Sequence, residues 1–496
     1  MPTFHTGKCG SMRRSIRHLV GYGCLTLLAV TSGHAQTRAY TLLQLTAAAV
    51  QHFPAIRQKE ALVNGATAGI ADVRNSYLPT VIASDQVNLS TDNSLAGSYL
   101  PMAPIPSSSA GVRADNIYQP AGANLASIYS EYTLTDFGYK NARMAQAQAG
   151  QQWQQADLNR TTYLLKWQVC RLYFNLLKAQ FQLQNDQQNL DRYQHIFQVI
   201  KALTASGISA GVDSSLASAE MARTRIGYNQ QQALWQQLRA EMAYLSGIPA
   251  ENLALDSLRT GFGAPLRNGR DSLPLAYDAH ILTATDTLFL PTDSMANPLL
   301  EYYRRHVAVY AATERATSKH FTPKLLLAGS LWARGSSIGY NDQFKTVADG
   351  FGYQRFNYGV GLAFTYDLVS PFRRRSKLAM AHFQSLAGQD ELEQQQAFLQ
   401  TSEAKAAAAI AATRNNLAQL PLQLNAAAAV YQQKLAQYKA GMANLIDLTN
   451  ATYVLYRSQT DYVQTLGDWY LQHLEKAAAT GTLDDFIQQI QHSPTW

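Results

Sequence analysis

From Tyr139 to Ser206 there is no proline, Gly150 is the only glycine, and apolar side chains return every three or four residues. Trp153, Ala156, Tyr163, Trp167, Cys170, Phe174, Leu177 and Phe181 form one stripe, with Arg160 filling one place. Leu165, Val169, Leu172, Leu176, Ala179 and Leu183 form a second stripe, roughly opposite. One stripe specifies a two-stranded coiled coil; two stripes far apart specify a helix with a neighbour on each side, as in the wall of a helical barrel. The plainer alternative is an ordinary long helical bundle. The pattern predicts a long helix over 139–206, about 100 Å in length. It returns over 373–440, disturbed only by Gly388 and Pro421. Return helices are expected at 212–247 and 444–480, each following a glycine, Gly207 or Gly441, that can supply the left-handed turn residue helix ends favour.

Elsewhere the period is two. Phe356, Tyr358, Val360, Leu362, Phe364 and Tyr366 alternate with Asn357, Gly359, Gly361, Ala363 and Thr365. One face is wholly apolar with aromatic residues toward both ends, as on a lipid-facing barrel strand. A half-buried strand of a soluble sandwich alternates in the same way. Strands are expected at about 80–90 and 125–135, and at about 324–334 and 354–367. Between the first two lie Pro101, Pro104, Pro106, Pro120 and the run Ser107-Ser-Ser, which mark a loop. A further helix is expected over 41–76, opened by the capping-box pair Thr41 and Gln44, with Pro54 interrupting or kinking it.

These elements occur twice. Gly207/Gly441, Asp213/Asp447, Ala217/Ala451, Tyr228/Tyr462, Trp235/Trp469 and Gly247/Gly481 are all 234 residues apart. Pro54/Pro298 and Pro79/Pro323 are 244 apart, so the first copy carries about ten extra residues in its inter-strand loop. The chain therefore divides into a first repeat (36–247), a linker (248–293) with Pro249, Pro265, Pro274 and Pro291, a second repeat (294–480) and a C-terminal tail (481–496).

The first 35 residues alter the charge argument. Arg13, Arg14 and Arg17 precede a short apolar run from Leu19 to Val30, and Gly33-His-Ala35 offers a cleavage site. This is a signal peptide, too short to span a bilayer. Cys24 lies inside the run after Gly-Tyr-Gly, which argues against lipidation. Removing Lys8 and the three arginines lowers the net charge from +7 to +3, so the basic balance is no nucleic-acid footprint. Cys170 then remains as the only cysteine, excluding an intrachain disulfide, and it sits in an apolar stripe as core. No nucleophile constellation, phosphate loop or metal-ligand spacing stands out, so neither an enzyme nor a cofactor is expected.

An exported chain without an apolar helical span crosses a membrane only as a β-barrel. Four strands cannot close one, and open edges are not tolerated in lipid. The strands must be pooled between copies, and three chains give twelve. The expected fold is mainly α with a small β part: duplicated long-helix hairpins forming a trimeric α-barrel, plus a 12-stranded transmembrane β-barrel. The rival reading is a non-channel structural coiled-coil protein of the cell envelope.

In order along the chain stand Pro54 and Asn297-Pro298 at helix openings, Leu78-Pro79 and Thr322-Pro323 before strands, Tyr132-Thr-Leu-Thr-Asp-Phe-Gly138 and Tyr366-Asp-Leu before the long helices, and Tyr438-x-x-Gly441 with Leu445-Ile-Asp447 at the tip. This duplicated order, over nearly all of 40–480, resembles the TolC-like outer-membrane efflux family. The resemblance implies a homotrimeric exit duct in the outer membrane of a Gram-negative bacterium, with a long periplasmic tunnel. It implies partnership with a periplasmic adaptor and an inner-membrane pump in efflux or type I secretion. It places Asp447 at a ring of carboxylates in the periplasmic entrance, with Asn450 where members can carry a second aspartate. Asp213, the equivalent of Asp447, belongs to the same constriction or is simply the N-cap of its helix. Tyr438 matches a residue that helps hold the entrance closed, but its arginine partner falls at Ala443. The tip turns, with Gly207, Gly211, Gly441 and Tyr438, are implied as the adaptor contact. Arg373, Arg374, Arg375 and Lys377 follow the last strand, where they would meet lipid headgroups; a solvated helix start is the alternative.

Overall fold

The computed structural model describes residues 39–95, 111–207, 210–256 and 297–492. The signal peptide, the proline-rich centre of the first inter-strand loop and most of the linker lie outside these residues. Among the described residues, the first repeat runs β1 (Ala39–Tyr40), α1 (Leu42–His52), α2 (Pro54–Asn75), β2 (Thr80–Ser90), β3 (Ser94–Leu95), β4 (Gly111–Val112), β5 (Ala121–Thr135), α3 (Tyr139–Ala205) and α4 (Gly211–Ser246). A 3-10 turn (Ala250–Asn252) and β6 (Ala254–Leu255) follow. The second repeat comprises α5 (Pro298–His320), β7 (Lys324–Ser336), a 3-10 turn (Val347–Gly350), β8 (Arg355–Thr365), α6 (Ser370–Lys439) and α7 (Leu445–Thr480), and α8 (Leu483–His492) is the last described element.

Local chemistry sets the boundaries. The Thr41 hydroxyl and the Gln44 side chain form a reciprocal capping box at the start of α1. The chain breaks at Phe53, because Pro54 cannot continue the hydrogen-bond ladder but suits the first position of α2. At the matching place Asn297 caps α5, accepting from the Leu299 N–H at 2.9 Å and donating to the carbonyls of Ala478 and Ala479. The side chain of Asp136 accepts from the N–H groups of Gly138 and Lys140 and so closes the start of α3. Gly207 and Gly441 have φ of +73° and +72° and end the long helices in the left-handed region that a side chain would strain. Pro421 does not break α6; it is buried and the helix runs through it.

The duplication is visible in the boundaries. α4 and α7 begin and end 234 residues apart, as do the ends of α3 and α6. β2 and β7 begin 244 apart.

Three extents differ from the sequence reading. β5 starts at Ala121 rather than about 125, because its small first residues pair with the end of β2, Ser90 opposite Ala121. α6 starts at Ser370, three residues before the basic run. The C-terminal stretch is not merely a tail: α8 buries Leu483, Phe486, Ile487 and Ile490.

The core lies among the helices. α3 packs against α4 on one side and α7 on another, and its residues 163–181 are buried on both stripes. Trp469, Phe174, Leu177 and Leu466 are fully buried, and the Phe174 and Tyr470 rings stack at 5.1 Å. Phe486 of α8 meets Phe174 edge-on at 6.0 Å. The parallel pair β1–β6 is tied to α3 by the Tyr173 hydroxyl, which donates to the Asp256 carbonyl at 2.7 Å. Each such buried side chain contributes roughly 1.5–3 kcal/mol.

Candidate functional site

β2, β5, β7 and β8 form one antiparallel sheet in that order, each strand hydrogen-bonded to the next. The register puts side chains opposite one another across the strands. One row reads Ala83, Ile128, Leu331, Tyr358; another reads Tyr132, Leu327, Leu362. Phe356, Tyr358, Val360, Leu362 and Phe364 lie on that apolar face, and Tyr366 follows just beyond the strand. Exposure runs from 81% at Tyr358 to 44% at Tyr366. Asp85 is the acid on this face, and it accepts from the Tyr353 hydroxyl at 2.9 Å. The opposite face carries Ser84, Gln86, Ser127, Glu131, Ser330 and Asn357, with the Ser84 and Ser127 hydroxyls bonded at 2.9 Å. Among the described residues, β2 and β8 are paired on one side only; the 3-10 turn Val347–Gly350 lies against the outer ends of β5 and β7.

At the far end of the long helices, the α3–α4 and α6–α7 turns form two tips. The N-cap of α4 is Ala210, not Asp213, which stands in the first turn. The Asp213 charge reaches Tyr438 at the end of α6, so residues of both repeats meet here. Burial first, and then that charge, raise the Tyr438 phenol above its ordinary range. Asp447 lies in the first turn of α7, where its N–H donates to Asn444 Oδ1 at 2.8 Å. Its carboxylate stands 3.6 Å from Lys434 Nζ, an intrachain pair that offsets part of its charge. Asn450 is exposed, as are Gly207, Gly211 and Gly441.

Two apolar residues at these tips escaped the sequence reading. Val212 and Ile446 are 75% and 57% exposed, and they occupy equivalent positions in the two repeats. The 234-residue offset was the available signal, since each directly precedes its repeat's aspartate.

Where the sheet meets α6, Arg373, Arg374, Arg375 and Lys377 are all exposed. Arg373 lies 3.4 Å from Asp367, and the Lys377 ammonium sits over the Phe321 ring. Leu368 and Phe372 beside them are more than 80% exposed. Cys170 is fully buried, and burial pushes its thiol well above the ordinary range, so it is inert. Among the described residues no three His, Cys, Asp or Glu side chains gather to hold a metal. No described helix is long and apolar enough to cross a membrane.

The fold is similar to solved outer-membrane proteins. The match to VceC of Vibrio cholerae covers 89% of this chain and 96% of that one, with a TM-score of 0.67 and 14% identity. CusC matches over 90% of this chain and 92% of its own, with a TM-score of 0.69 and 13% identity. The open state of the MtrE channel from Neisseria gonorrhoeae covers 89% of both chains, with a TM-score of 0.64 and 16% identity. At such identities the likeness is one of fold. No curated protein matches the sequence. The sequence model described as Outer membrane efflux protein matches residues 45–247 and 296–482, both repeats and most of the chain. The chain belongs to the outer membrane efflux protein family, a family of TolC-like channel proteins rather than of enzymes.

Proposed function

We propose that three copies of this chain form a passive exit duct across the outer membrane of a Gram-negative bacterium. The observation that carries this is the four-stranded sheet, with both outer edges open among the described residues, one apolar face and one largely polar face. A lone open sheet with such an edge is an aggregation hazard. Joining β8 of one copy to β2 of the next removes every edge and closes a barrel of twelve strands. The apolar face then meets lipid, the polar face lines water, and the long helices continue the passage on the periplasmic side. The exposed basic run at the start of α6 meets anionic headgroups.

The two tips form the entrance. Val212, Ile446 and the turns at Gly207, Gly211 and Gly441 present bare apolar and backbone surface to a periplasmic adaptor, which joins the duct to an inner-membrane pump. Asp447 supplies carboxylates around the threefold entrance, Asp213 is its equivalent in the first repeat, Asn450 adds no charge, and Lys434 damps the field of Asp447. The duct performs no chemistry; it lets solute leave without entering the periplasm.

Planar-bilayer recording of the purified protein tests this reading. Stepwise conductance with a modest preference for cations is expected. Protein that inserts into lipid yet never conducts contradicts it.

A further inference from the structure

Along the first hairpin, α3, α4 and α7 line a partly open cavity of about 210 Å³. Asp186 and Asn189 line it from α3, Glu220 and Arg223 from α4, and Tyr453 and Tyr456 from α7. Asp186 and Asn189 are each only 6% exposed. Asp186 accepts from Gln182 Nε2 and from the Tyr456 hydroxyl, both at 2.8 Å and both on Oδ1. Its Oδ2 keeps its capacity to accept. The Asn189 Oδ1 is buried and has no donor among the described residues. Buried acceptors in folded proteins are almost always satisfied, so Asn189 Oδ1 takes its donor from whatever occupies the cavity.

The duplication provides an internal control. Adding 234 to Asp186, Tyr193 and Glu220 leads to Leu420, Ala427 and Val454. Leu420 and Ala427 are buried apolar packing. The second repeat thus builds the same helical scaffold without a carboxylate at either position, although Asn189 corresponds to Gln423 and Arg223 to Arg457. Packing does not require the two carboxylates in the first.

The lining also selects a chemistry. Two carboxylates face one guanidinium, and Arg223 stays 75% exposed beside Glu220 rather than filling the space. The tyrosine side chains of the wall, Tyr193 and Tyr228 included, offer aromatic faces that attract organic cations. The volume falls below that of pockets for drug-sized ligands, which excludes bulky cargo. We propose that this cavity binds a small organic monocation of the primary alkylammonium class. Its N–H groups would reach Asp186 Oδ2 and Asn189 Oδ1. Because the cavity joins the first repeat's hairpin to α7 of the second, the bound cation ties the two repeats together.

The test is calorimetric titration of the full chain, purified in detergent, with n-propylammonium chloride against a sodium chloride blank of equal ionic strength. One saturable site per chain is expected. Asp186→Asn, which is isosteric, and Glu220→Gln, which is partly exposed and outside the core, should each weaken binding at least tenfold. The neutral isostere 1-propanol should not bind. Absence of saturable binding, unchanged affinity in both variants, or equal binding of 1-propanol would overturn the proposal. Binding is read on the chain whichever oligomer it forms, so the result is separable from the fate of the duct reading.

Discussion

In the helical hairpins, Val169, Phe174, Leu177, Leu448, Leu466 and Trp469 are fully covered by side chains of the same chain. In the sheet, Phe356, Tyr358 and Val360 stand 77–81% exposed. What differs between the two regions is where the cover comes from. α3 carries two apolar stripes and finds neighbours for both within one chain, whereas α6 leaves Phe383, Phe398 and Leu422 more than 60% exposed. Among the described residues the sheet finds no partner strand at its edges, and only the 347–351 turn lies against one end of it. Apolar burial is the main driving force of folding, so the helical part can hold itself together, whereas the sheet depends on something outside the chain. Its alternation of faces, apolar on one side and polar on the other, matches lipid and water.

The largest expected effect breaks this contrast from the sheet side. Leu362→Asp puts a charge on the apolar face of β8, where a charge near the bilayer midplane is strongly disfavoured. Outer-membrane fractions should then lose the assembled species almost entirely, while the helical content of the expressed chain by circular dichroism stays near wild type. Normal assembly of this variant would remove β8 from the lipid boundary.

A core truncation approaches the contrast from the helical side. Phe174→Ala removes a fully buried ring between Tyr470 and Phe486 and should cost about 3–5 kcal/mol of stability. Chemical denaturation would show it, and membrane targeting should persist. A loss below 1 kcal/mol would mean that the helical core does not rest on this contact.

A smaller effect depends on pH. Burial lowers the His473 pKa to about 3, so the folded chain holds this imidazole neutral. The unfolded chain protonates it below the ordinary value of 6.5. The stabilisation is therefore complete above about pH 6.5 and is lost as pH falls toward 3. His473→Gln should show a shallower loss over the same range in denaturation midpoints. Equal slopes in the two proteins would assign the acid sensitivity elsewhere.

The smallest effect concerns the entrance. Exposed pairs such as Lys434–Asp447 contribute about 0–1 kcal/mol. Lys434→Ala should raise cation preference in reversal-potential measurements by less than about fivefold, and Asp447→Asn should lower it. Opposite signs would place Asp447 away from the ion path.

Much of this organisation was legible in the chain because the helices are long. A stripe repeated over nearly seventy residues is hard to mistake, and glycines at a constant offset mark their ends. α8 was missed although Leu483, Phe486, Ile487 and Ile490 follow helical spacing, because four apolar positions beside the chain end make a weak signal. The start of β5 was missed because Ala121-Gly-Ala has no alternation; pairing with β2 extends the strand there. Sequence could not bring Asp213 to Tyr438, nor Asp186 to Tyr456, since those meetings depend on how one repeat packs on the other. The role of Asp447 was read from its position after Gly441, while its partner Lys434 went unnoticed despite lying one hairpin turn away.

The account stands on the pooling of strands between copies, and the mass of the unheated protein extracted in detergent from outer-membrane fractions tests that most directly. A species three times the mass of the mature chain is predicted. A monomer recovered in the soluble periplasmic fraction would contradict it, and would leave only the duplicated helical hairpins.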